Sequence, residues 1–326
     1  MAGPTISVVI VAYRQREALA ECLAACLEAA AAVSGGAELI VVDNGGLAPF
    51  IRERWPDVRL IEPGSNVGFA GGVKRGVAVA SGEWVALVND DARIERDALA
   101  RLLSAGERDE RIGSIAAQVR FHSDPTLINS AGIDVDSLGI ATERLSGRPV
   151  TEAQHTCEVF GASGCFALYR AAMFNALGGL DERFFAYLED VDLAWRARAA
   201  GWIAVYEPLA VAYHHGSASS GEGSHTKYFL VGRNRVRLLA RNATARQLLR
   251  ALPGILLYDL AYVIYAALAD RTLAPLRGRL AGLREWRAFR REGQQQRRTV
   301  ALSPASKGWR SALRQHRAYR ELGGGT

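Results

Sequence analysis

Apolar positions along this chain switch between two periods from the first residues onward. Ile6–Ala12 (ISVVIVA), Glu38–Val42 (ELIVV) and Val58–Ile61 are short β-rich runs, and Glu17–Ala32 repeats Leu, Ala and Cys at helical spacing. Glu83–Val88 is a further apolar run, followed by a helical pattern over Arg93–Gly106 and a strand pattern over Gly113–Phe121. Runs without polar alternation belong to strands covered on both faces. The expected fold class is therefore α/β, with a mostly parallel central sheet flanked by helices. His122–Pro149, rich in Ser, Asp and Gly, is expected to cross the surface. Val159–Tyr169 is apolar with small residues in its middle. A helix follows Glu189, a strand spans Val205–Tyr213, and another helix begins within Tyr228–Asn234.

Composition changes this picture in one place. With 49% apolar residues the 326-residue chain can bury a sizeable core. Its four cysteines form no CxxC pair, so neither a zinc cage nor a disulfide framework is expected. No basic-plus-apolar leader precedes the first strand, which sets a reduced, cytoplasmic location as the expectation. The net charge of +6 is unevenly spread: from Arg271 onward fourteen Lys and Arg face three Asp and Glu. The basic character belongs to the end of the chain, and no nucleic-acid-binding motif accompanies it.

Candidate chemistry gathers where strands end. Asn89, Asp90 and Asp91 directly follow an apolar run, the place where open α/β sheets bind ligands. Oxygen donors there suit Mg²⁺ held jointly with substrate phosphates; an N-cap for the next helix is the competing reading. Asp43 likewise ends its strand, either to meet a nucleotide base or ribose, or as turn chemistry in Asp-Asn-Gly. Glu62–Gly76 carries five glycines without the GxGxxG or GxxxxGK[ST] order, with a helix expected from Gly71 or Gly72 and Lys74 or Arg75 toward a diphosphate. Glu189, Asp190 and Asp192 crowd a helix start behind Phe184, Phe185 and Tyr187, as dipole-favoured acids or as a general base. His214 and His215 end a strand and, being adjacent, point to different sides.

Taken in order, ISVVIVAY, ELIVVDNG, SNVGFAGGVKRG, EWVALVNDD, FFAYLEDVDLAWR and YHHGSAS resemble the inverting, GT-A-fold (Rossmann-like) glycosyltransferases of family 2, and within them the rhamnosyltransferase-like branch. The resemblance covers about residues 5–241. It implies that Ala12, Tyr13 and Arg14 line a nucleotide pocket, that Asp43 holds the base, and that Asn66, Gly68, Phe69 and Gly71 close over the donor. Asp91 matches the last acid of the family's Asp-x-Asp motif and Asn89 replaces the first, with Asp90 between them. Asp91 and His214 are the implied ligands of a divalent metal, Mg²⁺ or Mn²⁺, with His215 as the fallback. Asp190 is the implied catalytic base, Glu189 the runner-up, and Trp195 joins the substrate-binding candidates. The implied donor is a nucleotide-diphosphate sugar, with thymidine-diphosphate rhamnose the best guess, and the acceptor a glycan or polyprenyl-diphosphate-linked sugar of the cell envelope.

The expected division is a catalytic domain over residues 1–241, its nucleotide-sugar half ending near 120, and a basic helical extension over 242–326. Leu248–Leu268 is apolar but holds Arg250, Pro253 and Asp259. That composition suits a helix lying on a membrane surface at the inner face of the cell membrane, or one packed on the domain or on a second copy in a homodimer.

Overall fold

The computed structural model describes residues 3–216, 224–293 and 299–322. Most of the glycine- and serine-rich stretch Ser217–Ser224, expected to be mobile, lies outside the described residues. The chain opens with β1 (Ile6–Ala12), α1 (Arg16–Ala31), β2 (Ala37–Asp43), α2 (Ala48–Arg54), β3 (Arg59–Ile61), α3 (Gly68–Val77) and β4 (Trp84–Asn89). Then come β5 (Ala92–Ile94), α4 (Ala98–Gly106), β6 (Ile112–Phe121), β7 (Ile128–Ser130), β8 (Ile133–Val135), β9 (Ala141–Glu143) and β10 (Cys157–Val159). β11 (Phe166–Arg170), α5 (Ala171–Ala176), α6 (Glu189–Ala200) and β12 (Ile203–His214) complete the sheet region. Four helices end the chain: α7 (His225–Asn242), α8 (Ala245–Ala269), α9 (Ala274–Gly293) and α10 (Ala305–Leu322).

The main sheet runs β10-β12-β6-β11-β4-β1-β2-β3. β3, β2, β1, β4, β6 and β12 point one way, while β11 and β10 oppose their neighbours. β1 shows why its run is continuous. Ile6, Val8, Ile10 and Ala12 face a core capped by α1 and α4; Val9 and Val11 face one built with α3, α5 and α6. The chain leaves β1 for β2 on one side and returns to β4 on the other. That makes the β1/β4 edge a topological switch point, and sheets of this kind bind ligands in the crevice outside the strands' C-terminal ends there.

Three expectations needed correcting. The helical pattern at Arg93–Gly106 begins with a strand, because Ala92 and Ile94 bury alternately as β5 pairs with the end of β12. α3 starts at Gly68, ahead of Gly71. The segment 122–149 is not a surface crossing: β7, β8 and β9 bury Ile128, Ile133, Val135, Leu138 and Ile140. Its polar residues mislead because several of them bond within the segment, Asp136 Oδ1 accepting the backbone N–H groups of Leu138 and Ile140 at 2.9 and 2.7 Å.

The extension beyond Asn242 packs back on the rest. α9 crosses α7 so closely that a Cβ on Gly278 would stand 2.1 Å from the Phe229 carbonyl oxygen. α10 lies along β8 and β9, where the Glu143 N–H donates to Gln315 Oε1 at 3.0 Å.

Candidate active site

The crevice begins at the end of β1. Tyr13 donates its backbone N–H to Asp90 Oδ2 at 2.7 Å, and Arg14 sits at φ +63°. Asp90 therefore ties two strand ends together instead of facing open solvent. Burial and the neighbouring Asp91 push its carboxyl up to about 7. Ala12 is buried, so only its backbone can line a pocket; its carbonyl accepts the Asn44 N–H at 2.9 Å. Asp43 displays the turn chemistry: its carboxylate accepts the N–H groups of Gly45, Gly46 and Ala48 at 2.7–2.9 Å.

Asn44 reaches across to the glycine-rich segment, donating from Nδ2 to the Gly68 carbonyl at 2.9 Å. Asn66 Oδ1 accepts the Gly68 N–H at 2.8 Å. Gly68 lies at φ +75°, and a Cβ there would meet the Phe185 carbonyl oxygen and ring at 2.4–2.6 Å. Only glycine fits both demands. Lys74 and Arg75 do not turn to the crevice as expected. Lys74 pairs with Glu182 at 2.6 Å, and Arg75 donates to the Gly71 carbonyl at 2.9 Å.

Asp91 and His214 meet because β5 pairs antiparallel with the end of β12, setting Ala92 opposite His214. His214 Nε2 stands 3.1 Å from Asp91 Oδ1 and 3.5 Å from Asn89 Nδ2. Burial opposes charge on both groups, but their mutual attraction wins, lowering the Asp91 carboxyl and raising the His214 imidazole well above their ordinary values. His215 turns away, stacked on His122 with ring centroids 3.8 Å apart. His214 is the inward one of the two.

Asn129, on the segment taken for a surface crossing, has Oδ1 3.2 Å from His214 Nδ1. Imidazoles that bind metal commonly give their second nitrogen's proton to such a partner, which leaves Nε2 free to ligate. Among the described residues no group of three or more His, Cys, Asp and Glu forms a complete metal cage. One carboxylate, one oriented imidazole and a nearby amide nevertheless fit a cation whose other ligands are phosphate oxygens and water.

The acids at the start of α6 divide clearly. Glu189 is 5% exposed, its Oε2 has no hydrogen-bond partner, and burial drives its carboxyl well above the ordinary range. Asp190 is only partly covered; Oδ2 accepts the Gly164 N–H at 2.9 Å and Oδ1 the Val191 N–H at 2.8 Å. Burial raises its pKa, and these two donors pull it back. The Phe69 ring closes on the same spot, within 3.2 Å of a Cβ built on Gly164. Ser163 reaches the other way, to Glu143 Oε1 at 3.1 Å. Trp195, expected among the substrate contacts, is 1% exposed and packs edge-on to Phe160 in the core. Five residues along a helix from Asp190, it projects toward a different face.

Asn129 and Glu143 had no periodic or motif signal, and Gly164 was marked only as one of the small residues in the middle of Val159–Tyr169. They join the site only through β7, β9 and the turn before β11.

The chain's residues 7–178 match the model of glycosyl transferase family 2. It is 33% identical over 213 residues to an N-acetylglucosaminyl-diphospho-decaprenol L-rhamnosyltransferase of Mycobacterium tuberculosis, covering 56% of this chain and 68% of that protein. It is 26% identical over 216 residues to a low-salt glycan biosynthesis hexosyltransferase of Haloferax volcanii, covering 59% of this chain and 61% of that protein. Among solved structures, a Pyrobaculum calidifontis mannosyltransferase in complex with GDP-Man and Mn²⁺ superimposes with TM-score 0.53 at 18% identity, over 98% of this chain and 87% of that one. Staphylococcus aureus TarS gives TM-score 0.55 at 14% identity, over 98% and 90%. With a match over half its length, on a fold that these structures share, the chain belongs to the family 2 glycosyltransferases and is a glycosyltransferase of the rhamnosyltransferase-like kind.

Proposed function

We propose that the protein transfers one sugar, with inversion, from a nucleotide-diphosphate donor to a polyprenyl-diphosphate-linked glycan acceptor in cell-envelope polysaccharide synthesis. The observation carrying this reading is the pairing of Asp91 with an oriented His214 at one side of the crevice and the partly open Asp190 at the other. Asp91 and His214, with Asn89 beside them, are the residues that would hold Mg²⁺ or Mn²⁺. The bound ion would supply charge stabilisation to the departing diphosphate. Asp190 accepts the proton of the acceptor hydroxyl on a carboxylate oxygen as that hydroxyl attacks the anomeric carbon. Gly164 and Val191 aim the carboxylate, while Glu189 lies buried beside it with its Oε2 unpartnered.

For the nucleotide, Tyr13 and Arg14 form one wall of the pocket. Asp43 shapes the floor through its backbone bonds and presents its remaining lone pairs to the base, and the 66–71 segment closes above. Rhamnose from thymidine-diphosphate rhamnose is the proposed donor, on the strength of the Mycobacterium relative. The Haloferax relative keeps a hexose as the alternative. Calorimetry with a panel of nucleotide sugars, run with Mn²⁺ and then with chelator, tests this. One donor bound tightly and only with metal supports it; a folded protein that binds none overturns it.

The reading includes a peripheral, cytoplasmic location against the membrane's inner face. Along α8, Leu249, Leu252, Leu256, Leu257, Leu260 and Leu268 are all roughly half exposed or more. Arg246 and Arg250 flank that face at one end and Arg271 at the other. An apolar ridge bounded by guanidinium groups suits an anionic lipid surface.

A further inference from the structure

The backbone that delivers Asp190 is held in an unfavourable shape. Phe185, Tyr187 and Leu188 adopt φ values of +68°, +72° and +68°, a region that side chains with a Cβ rarely occupy. Such conformations persist only where the surroundings over-determine them. Here one side chain supplies most of the side-chain bonds to the strap. Asn234, fully buried on α7, directs its Nδ2 at the carbonyl oxygens of Phe184, Ala186 and Tyr187, at 2.9, 2.9 and 2.8 Å. Its orientation is set from the other side, because Oδ1 accepts from Arg233 Nε at 3.1 Å. An amide flipped end for end would set oxygen against three carbonyls. Arg233 Nη2 adds a bond to the Phe184 carbonyl at 2.8 Å.

The same strap touches the donor side. The Phe185 carbonyl accepts the Ala70 N–H at 3.1 Å, and the Phe185 ring occupies the space against Gly68. Asn234 thus sits behind a short segment with the donor-covering glycines on one end and Asp190 on the other. It touches neither nucleotide wall nor the Asp91–His214 pair.

We propose that Asn234 is a positioning residue. With two N–H groups shared among three carbonyls of the 184–187 strap, it fixes where Asp190 stands relative to the donor-covering segment. This rests on Asp190 being the base. Displacement of a reacting group by about 1 Å is enough to cost on the order of 100-fold in rate.

The test compares wild type with Asn234→Ala and the isosteric Asn234→Asp. Readouts are melting temperature, calorimetric binding of thymidine diphosphate with Mn²⁺, turnover of thymidine-diphosphate rhamnose, and amide hydrogen exchange over 184–190. A folded variant should bind the nucleotide within about threefold of wild type, exchange faster at 184–190, and lose about 100-fold in kcat with KM for the donor little changed. The acid limb of its pH–rate profile should also move to higher pH, since a loosened strap weakens the N–H bonds that hold Asp190 ionised.

Folded variants with normal exchange and near-normal kcat overturn the assignment. So does failure of both variants to fold, which would make Asn234 a determinant of folding. If wild type turns over no sugar nucleotide, the functional reading falls, and unchanged exchange in a folded variant would separately remove the clamp.

Discussion

Asp190 and Glu189 are neighbours of the same chemistry, yet Asp190 has both carboxylate oxygens bonded to backbone N–H groups, while Glu189 Oε2 is buried without a partner. The expected consequence is that Asp190→Asn lowers transfer by about a thousandfold, within the range for loss of a general base, while donor binding measured by calorimetry stays within a few-fold. Burial lifts the Asp190 carboxyl, and the ionised form is the one that works. The acid limb of kcat/KM should therefore lie above the ordinary carboxylate value, activity falling as pH drops through it. Glu143 offers a separate check. Burial, with Asp190 nearby, raises it from 4.5 to about 7. Between those values the unfolded chain binds fewer protons than the folded one, so stability declines as pH climbs. Glu143→Gln should flatten that part of the melting-temperature profile. Asn129 acts through His214, and Asn129→Ala should weaken Mn²⁺ binding by about 10- to 100-fold, read by titration calorimetry.

At the scale of elements, the short strand β5 has consequences beyond its length. It turns the Asn89–Asp91 cluster toward the end of β12, and without that pairing Asp91 and His214 would be strangers. α8 carries the longest row of exposed leucines among the described residues, with a shorter one, Leu276, Leu280 and Leu283, on α9. Leu256→Asp together with Leu260→Asp should leave the melting temperature nearly unchanged and abolish co-sedimentation with anionic vesicles. Retained vesicle binding would remove this face from the reading. The α7–α9 crossing is the opposite case, sealed by glycine. Gly278→Leu should force the helices apart and lower the melting temperature by several degrees, within the range known for overpacked cores.

For the molecule as a whole, the sheet supplies position and the last four helices supply constraint. The crevice at the β1/β4 switch point follows from strand order, but the clamp on the Asp190 strap comes from α7, and α10 covers the strands that carry Asn129 and Glu143. Tyr319 of α10 donates to Asn129 Oδ1 at 3.4 Å, so the extension reaches the partner of His214. α7 ends at Asn242. The extension after it nevertheless folds against the catalytic half.

What the sequence determined by itself was local and periodic. Ile6–Ala12 reads as a buried strand because each of its side chains is apolar or small and both faces are covered. The acids after β4 and at the start of α6 read as site residues because parallel strands and helix starts concentrate such chemistry. Tertiary structure decided everything that depends on partners distant in sequence. Ala92–Ile94 is a strand only because β12 lies beside it. The middle of the polar stretch 122–149 is interior only because β7 pairs with β6 and β8 with β9, burying Ile128, Ile133 and Val135. Trp195 belongs to the core, although Asp190 of its own helix is partly open in the candidate site. Which of two adjacent histidines turns inward is a matter of pleat and register, and alternation supplies two sides without saying which one is the crevice.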